Sequence, residues 1–191
     1  AQARIHALQA RIRPHFLFNS MNTIASLTRS NPAAAEQAVE DLADLFRASL
    51  ADTRQRITLA DELEITRVYE RMERQRLGGR LEVRWDLDAL PQDALLPSLS
   101  LQPLLENAFR HGVEAKPGPA AVVVSARVDG DRLRLAVDDD AGVLPADLVP
   151  GVGLANVRER LAARHGDRAS LSVQARAGGG VAARVELPCV Y

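Results

Sequence analysis

The spacing of apolar residues changes character once along this chain, near residue 58, and that change limits the fold more than any single motif. Before it, Ile5, Leu8 and Ile12 recur every three to four residues, as on one face of a helix. His15, Asn19 and Asn22 continue that seam, with Phe16, Leu17, Ile24 and Leu27 beside it. Ser30-Asn31-Pro32 then supplies a break and a restart, Asn31 as N-cap and Pro32 as first helical residue. The following helix carries Ala35, Val39, Leu42, Phe46 and Leu50 on one stripe. Two amphipathic helices joined this closely predict an antiparallel hairpin. A lone hairpin cannot bury both stripes, so two copies forming a four-helix bundle is the simplest expectation.

After residue 58 the pattern mixes periods. Thr58 and Asp61 read as a capping box opening a helix with Leu63, Val68, Tyr69 and Met72, which Gly78-Gly79 closes. "RLEVRWDL" (80–87) alternates, with Leu81, Val83, Trp85 and Leu87 on one face of a half-buried strand. "SLSLQPLLENAFRHG" predicts a helix ending at Gly112, and "AVVVSARV" and "RLRLAV" flank the hairpin signal Asp129-Gly130. "LANVRERLAARHG" is a further helix, and strands 169–175 and 181–187 surround Gly178-Gly179-Gly180. Alternating strands leave one sheet face solvated while helices cover the other. The expected class is α+β, with a dimerising helical hairpin over 1–55 and a two-layer α/β domain over 56–191.

The bulk properties exclude several functions. With 24 basic against 25 acidic residues the net charge is −1, which predicts no nucleic-acid partner. The single cysteine, Cys189, cannot form an intramolecular disulfide and suits a reducing compartment. No apolar run approaches the roughly 18 residues of a membrane span, and no signal-peptide pattern opens the chain. The first residue is not methionine and lies inside a helical pattern, so the chain is expected to be part of a longer protein.

Two stretches carry chemistry. "LLENAFRHG" sets Glu106 and Arg110 four apart on one helical face, and Asn107 and His111 four apart on the next. Alone, that is as consistent with an ordinary surface pair as with a site. "AVDDDAGVLPADLVPGVGLANVRERL" takes a strand through three carboxylates into a loop, then to Gly-x-Gly at the mouth of a helix. Paired glycines there let backbone N–H groups approach an anion, while an Asn and carboxylates suit Mg2+.

"LQARIRPHFLFNSMNTI" resembles the phosphoacceptor box of the LytS/YehU-type sensor histidine kinases, whose signature is Pro-His-Phe-Leu-Phe-Asn. "LSLQPLLENAFRHGV" resembles their N box and "GVGLANVRERL" their second glycine box, in family order and over essentially the whole chain. The resemblance implies a dimeric phosphoacceptor hairpin and a GHKL-type (Bergerat) ATP-binding domain, using ATP and Mg2+. His15 would then be the autophosphorylated residue, Asn107 the Mg2+ ligand and Glu106 the general base. Arg110 and His111 would lie near the phosphates, Asp139 would read adenine, and Gly142, Gly151 and Gly153 would shape the lid. The implied partners are a second copy and a response regulator, which takes the phosphoryl group on an aspartate. Membrane attachment would come only from an upstream sensor segment, leaving this part in the cytoplasm beneath a bacterial inner membrane. The other readings are a weakly catalytic dimeric scaffold or regulator phosphatase, and a chaperone- or topoisomerase-like ATPase, which would need no phosphoacceptor helix.

The chain departs from the family at its first glycine box, where Asp138-Asp139-Asp140-Ala141-Gly142 lacks the first glycine of Asp-x-Gly-x-Gly. Counting back from Gly142 makes Asp138 the adenine reader; strand parity through Leu133, Leu135 and Val137 favours Asp139. A Cβ in place of the glycine, and three adjacent carboxylates, predict weakened ATP binding. Eight residues separate Gly142 from Gly151, so the lid is expected to be short, and no phenylalanine box is evident. Arg13 stands where many relatives have Asn. His6 is expected to be solvated, His165 to complement a helix C-terminus, and Cys189 and Trp85 to pack as apolar residues.

Overall fold

The structure, a computed structural model, describes residues 14–51, 55–87, 90–143 and 151–191. These fall into two compact units. One holds the described residues of Ala1–Asp52 with Arg67–Gly78; the other holds those of Thr53–Thr66 with Gly79–Tyr191.

The helical unit contains α1 (Pro14–Ser30), α2 (Pro32–Leu50) and the later part of α3 (Leu59–Leu77). The break between α1 and α2 forms as its sequence dictates: Asn31 Oδ1 accepts from the Ala34 N–H at 3.2 Å, and Pro32 follows the cap. The buried face of α2 is Ala35, Ala38, Asp41 and Leu45, whereas Val39 and Leu50 are exposed. The stripe expected from periodicity is therefore not the one this chain buries. Short alanines let helices approach, and Asp41 is covered because Arg71 on α3 binds it with two N–H groups, at 2.8 and 3.1 Å. Phe16 packs on Tyr69 with ring centroids 5.4 Å apart. On α1, His15 and Asn22 are exposed and Asn19 half-buried, so the inward side lies at Phe16, Leu17, Ser20, Ile24 and Leu27. Ile5, His6, Leu8, Ile12 and Arg13 lie outside the described residues.

The α/β unit has a five-stranded sheet in the order β2-β4-β5-β7-β6, from β2 (Leu81–Leu87), β4 (Ala120–Asp129), β5 (Arg132–Asp139), β6 (Ser170–Ala175) and β7 (Val181–Pro188). β2 runs parallel to β4 and the other pairs are antiparallel. One face carries Val122, Val124, Leu133, Leu135, Val137, Val185 and Leu187, all essentially fully buried. Helices α4 (Gln102–Ala108) and α5 (Val152–His165) bury Leu104, Leu105, Leu154, Val157 and Leu161. A small antiparallel pair, β1 (Arg56–Thr58) with β3 (Leu95–Pro97), was not expected; three residues are too few to show a period. Thr58 caps α3 as expected, accepting from the Asp61 N–H at 3.1 Å and donating to its carboxylate at 2.7 Å. Trp85 is half-buried, as suits the edge strand β2.

Two remaining expectations change in detail. The helix through Phe109 does not stay α-helical to Gly112: it widens into a π-helical turn, Phe109–Val113. His165 ends α5 as expected, but burial, with Arg168, Arg164 and Arg56 nearby, lowers its pKa, so it favours the neutral form there.

Candidate functional site

Strand β5 delivers the three carboxylates to different places, because side chains alternate across a strand. Asp139 follows Leu133, Leu135 and Val137 on the inward face and is 2% exposed. Its Oδ1 accepts from the N–H of Ala141 at 3.0 Å and from that of Gly142. Its Oδ2 carries no hydrogen bond among the described residues. Asp138 faces the other way, with Arg184 4.0 Å from its Oδ1. Asp140, which counting back from Gly142 sets at the missing glycine, points to neither: its Oδ1 accepts from the Ala121 N–H at 2.9 Å and its own N–H donates to the Ala121 carbonyl at 3.1 Å. Lys116 lies 3.8 Å from its other oxygen.

Three glycines close around Asp139. A Cβ on Gly112 would lie 3.0 Å from its Cγ and Oδ1, and one on Gly142 would lie 2.8 Å from Oδ1 and 3.1 Å from Oδ2. Gly180, with φ +88°, presses against the Asp139 carbonyl so closely that a Cβ would overlap it. Arg176 donates to that same carbonyl at 2.8 Å. Gly112, Gly180 and Arg176 were missed by sequence reasoning. Each acts through a contact with a residue far away in the chain, and only the glycine run at 178–180 gave a signal. The negative charge of the triplet is thus flanked by Lys116, Arg176 and Arg184.

The other expected residues lie on neighbouring elements of the same unit. Glu106 and Asn107 are half-buried near the end of α4, while Arg110 and His111 are exposed on the π-turn whose Gly112 touches Asp139. A π-turn offsets these side chains from the α-helical positions that four-residue spacing assigns them. Gly151 is the exposed N-cap of α5 and Gly153 sits in its first turn, where backbone N–H groups lack helical partners. Residues 144–150, the expected lid, lie outside the described residues. Among the described residues no cluster of three or more His, Cys, Asp or Glu could hold a metal ion.

His15 belongs to the helical unit, exposed in the first turn of α1. The Asn19 side-chain nitrogen lies 3.3 Å from its Nδ1, one helical turn on. Asn19 closes the Pro-His-Phe-Leu-Phe-Asn run, and its four-residue spacing from His15 brings the two side chains together.

Residues 3–81 match the histidine kinase family, and residues 92–190 match the family described as "Histidine kinase-, DNA gyrase B-, and HSP90-like ATPase". The chain is 38% identical over 176 residues to the sensor histidine kinase BtsS of Escherichia coli, covering 90% of this chain and 31% of that protein. It is 30% identical over 191 residues to the sensor protein LytS of Staphylococcus epidermidis, covering 93% and 32% respectively. The chain therefore spans about a third of the length of these relatives. The histidine kinase domain of the Erythrobacter litoralis EL346 blue-light activated histidine kinase superposes with a TM-score of 0.55 at 20% identity, covering 98% of this chain and 91% of that one. No described helix is long and apolar enough to cross a membrane. The chain belongs to the histidine kinase-, DNA gyrase B- and HSP90-like ATPase family, with a histidine kinase match ahead of the ATPase match.

Proposed function

We propose that this chain is the cytoplasmic kinase core of a two-component sensor, transferring the γ-phosphoryl group of ATP to His15 and from there to an aspartate of a response regulator. The observation that carries the reading is the state of Asp139: buried, with one oxygen held by loop N–H groups and the other open. An open carboxylate oxygen in a cradle that any Cβ would fill is suited to an exocyclic amino group on a flat ring, which is what adenine offers.

The remaining residues take roles around that anchor. The Asn107 amide, half-buried and without a hydrogen bond among the described residues, fits a Mg2+ ligand, and the ion would neutralise charge between phosphates. Arg110 and His111 on the π-turn, and Gly142, Gly151 and Gly153 at the two ends of the lid, serve the triphosphate. Transfer requires Nε2 of His15 to lose its proton, for which Glu106 is the proposed acceptor. The Nε2–phosphorus bond then forms as the bond from phosphorus to the bridging oxygen breaks, and ADP leaves with that electron pair. Asn19, one turn on and 3.3 Å from Nδ1, orients the ring.

The dimer is proposed to form through the hairpin of residues 1–55. Phe18 and Met21 on α1, and Val39 and Leu50 on α2, are 65%, 55%, 53% and 47% exposed, an apolar surface that a second copy would cover. The sensor segment and membrane attachment belong to the longer protein of which this would be the core.

Asp139→Asn tests the anchor. The loop N–H groups need an acceptor, so the new amide must turn its NH2 toward the base, where it repels adenine's amino group and suits the carbonyl of guanine. The variant is expected to lose ATP affinity and shift its preference toward GTP. Unchanged ATP binding would remove Asp139 from the site.

A further inference from the structure

Leu99 is the one described non-glycine residue with a left-handed backbone, at φ 56°. Such a conformation persists only where its surroundings hold it. Both polar groups of its backbone are gripped by side chains from different helices. Its N–H donates to Oε2 of Glu62, on α3, at 2.8 Å. Its carbonyl accepts from a guanidinium N–H of Arg160, on α5, at 2.6 Å. The other oxygen of Glu62 accepts from the N–H of Leu101 at 2.6 Å and of Gln102 at 3.2 Å, where α4 begins.

Glu62 is fully buried, and a carboxylate in that position is costly unless bonded on both oxygens, as this one is. The elements joined are those that must meet a triphosphate together. α4 carries Glu106 and Asn107 one turn beyond the residues Glu62 holds, and α5 carries Gly153 two turns before Arg160. The adenine anchor is braced separately, by Gly112, Gly142, Gly180 and Arg176.

We propose that Glu62 and Arg160 are positioning residues for phosphoryl transfer: through Leu99 they lock the start of α4 to α5, so that Asn107 and the first turn of α5 address the same phosphates. The proposal rests on the ATP-binding reading above. It separates the phosphate half of the site from the adenine half, and this separation is its measurable consequence.

The test uses Glu62→Gln, Arg160→Met and Arg160→Lys, each compared with the unaltered chain for three quantities: affinity for Mg-ATP, affinity for ADP without magnesium, and the rate of label transfer to His15. In Glu62→Gln one oxygen is replaced by a donor, so at least one of three backbone N–H groups loses its acceptor. Glu62→Gln and Arg160→Met are expected to weaken Mg-ATP binding and slow transfer about tenfold. Magnesium-free ADP binding should stay within about twofold. Arg160→Lys, which keeps a donor for the Leu99 carbonyl, should recover part of the transfer rate. The double variant Glu62→Gln/Arg160→Met should be little worse than either single one, because both act through Leu99. Equal loss of ADP and Mg-ATP affinity, or no loss of either, would overturn the proposal. Hydrogen exchange at the amides of Leu99, Leu101 and Gln102 gives an arm that needs no nucleotide. Faster exchange there in Glu62→Gln, with β5 amides unchanged, supports the lock, and unchanged exchange overturns it. Failure of the unaltered chain to bind either nucleotide would instead count against the ATP reading.

Discussion

Gly112→Ala puts a single methyl group between the π-turn and Asp139, and opposing effects allow a calculation. As a helical residue, alanine is favoured over glycine by up to about 1 kcal/mol, so the fold itself should lose little and could gain. The added Cβ would lie 3.0 Å from both Cγ and Oδ1 of Asp139, closer than ordinary van der Waals contact by about half an ångström. The π-turn is held at its far end, where Arg80 donates to the carbonyls of Val113 at 3.0 Å and Lys116 at 2.8 Å, so the carboxylate must move instead. That movement strains its bonds to Ala141 and Gly142 and shifts Oδ2 from the place where adenine would meet it. A hydrogen bond to a charged group is worth about 1.5–3 kcal/mol, so ATP affinity should fall roughly 10- to 100-fold. Titration calorimetry with Mg-ATP, beside a thermal melt of the same preparation, measures both sides. ATP bound as tightly by Gly112→Ala as by the unaltered chain would refute the reasoning, as would a loss of affinity matched by loss of fold.

Three further outcomes follow from the same geometry. Arg71→Ala leaves the buried Asp41 carboxylate with only the Gln37 amide, 3.2 Å from its Oδ1, and should cost about 3 kcal/mol, whereas Asp41→Ala leaves an arginine that is 43% exposed and should cost less, about 1–2 kcal/mol; chemical denaturation of both variants checks the asymmetry. Burial raises the pKa of Glu62 from 4.5, so the folded state binds that proton more tightly than the unfolded chain does. Its contribution to stability is full below the unfolded pKa and is lost as pH rises through the folded one, so Glu62→Gln should flatten the decline of melting temperature over that rise. Asp140→Gly supplies the family's first glycine only in the register that makes Asp138 the adenine reader, so it should improve ATP affinity by no more than about twofold, since the Asp140 side chain bonds Ala121 instead of entering the cradle. A larger gain would show that the weakened binding expected from sequence is real and local.

Where structure followed sequence, the controlling interaction was short in sequence or strictly periodic. Asn31 and Thr58 cap helices through residues three positions on. Asp139 could be separated from Asp138 because the alternation through Leu133, Leu135 and Val137 runs unbroken into it. The buried stripe of α2 was misjudged because the helix has two apolar sides, and hydrophobicity alone cannot say which faces its own chain. The one actually buried includes Asp41, whose cover comes from Arg71, 30 residues away. The glycines around Asp139 and the grip on Leu99 were invisible for a related reason. Glu62 meets Leu99 across 37 residues and Arg160 meets it across 61, and no local pattern encodes either meeting.

The central claim is that His15 accepts the phosphoryl group. Incubating the chain with Mg2+ and γ-labelled ATP, with His15→Gln and Asn19→Ala in parallel, tests it most directly. The account predicts acid-labile, base-stable label on the unaltered chain, none on His15→Gln, and slower labelling of Asn19→Ala with nucleotide affinity unchanged. Label that persists on His15→Gln, or an unaltered chain that binds ATP and acquires no phosphohistidine, would contradict it.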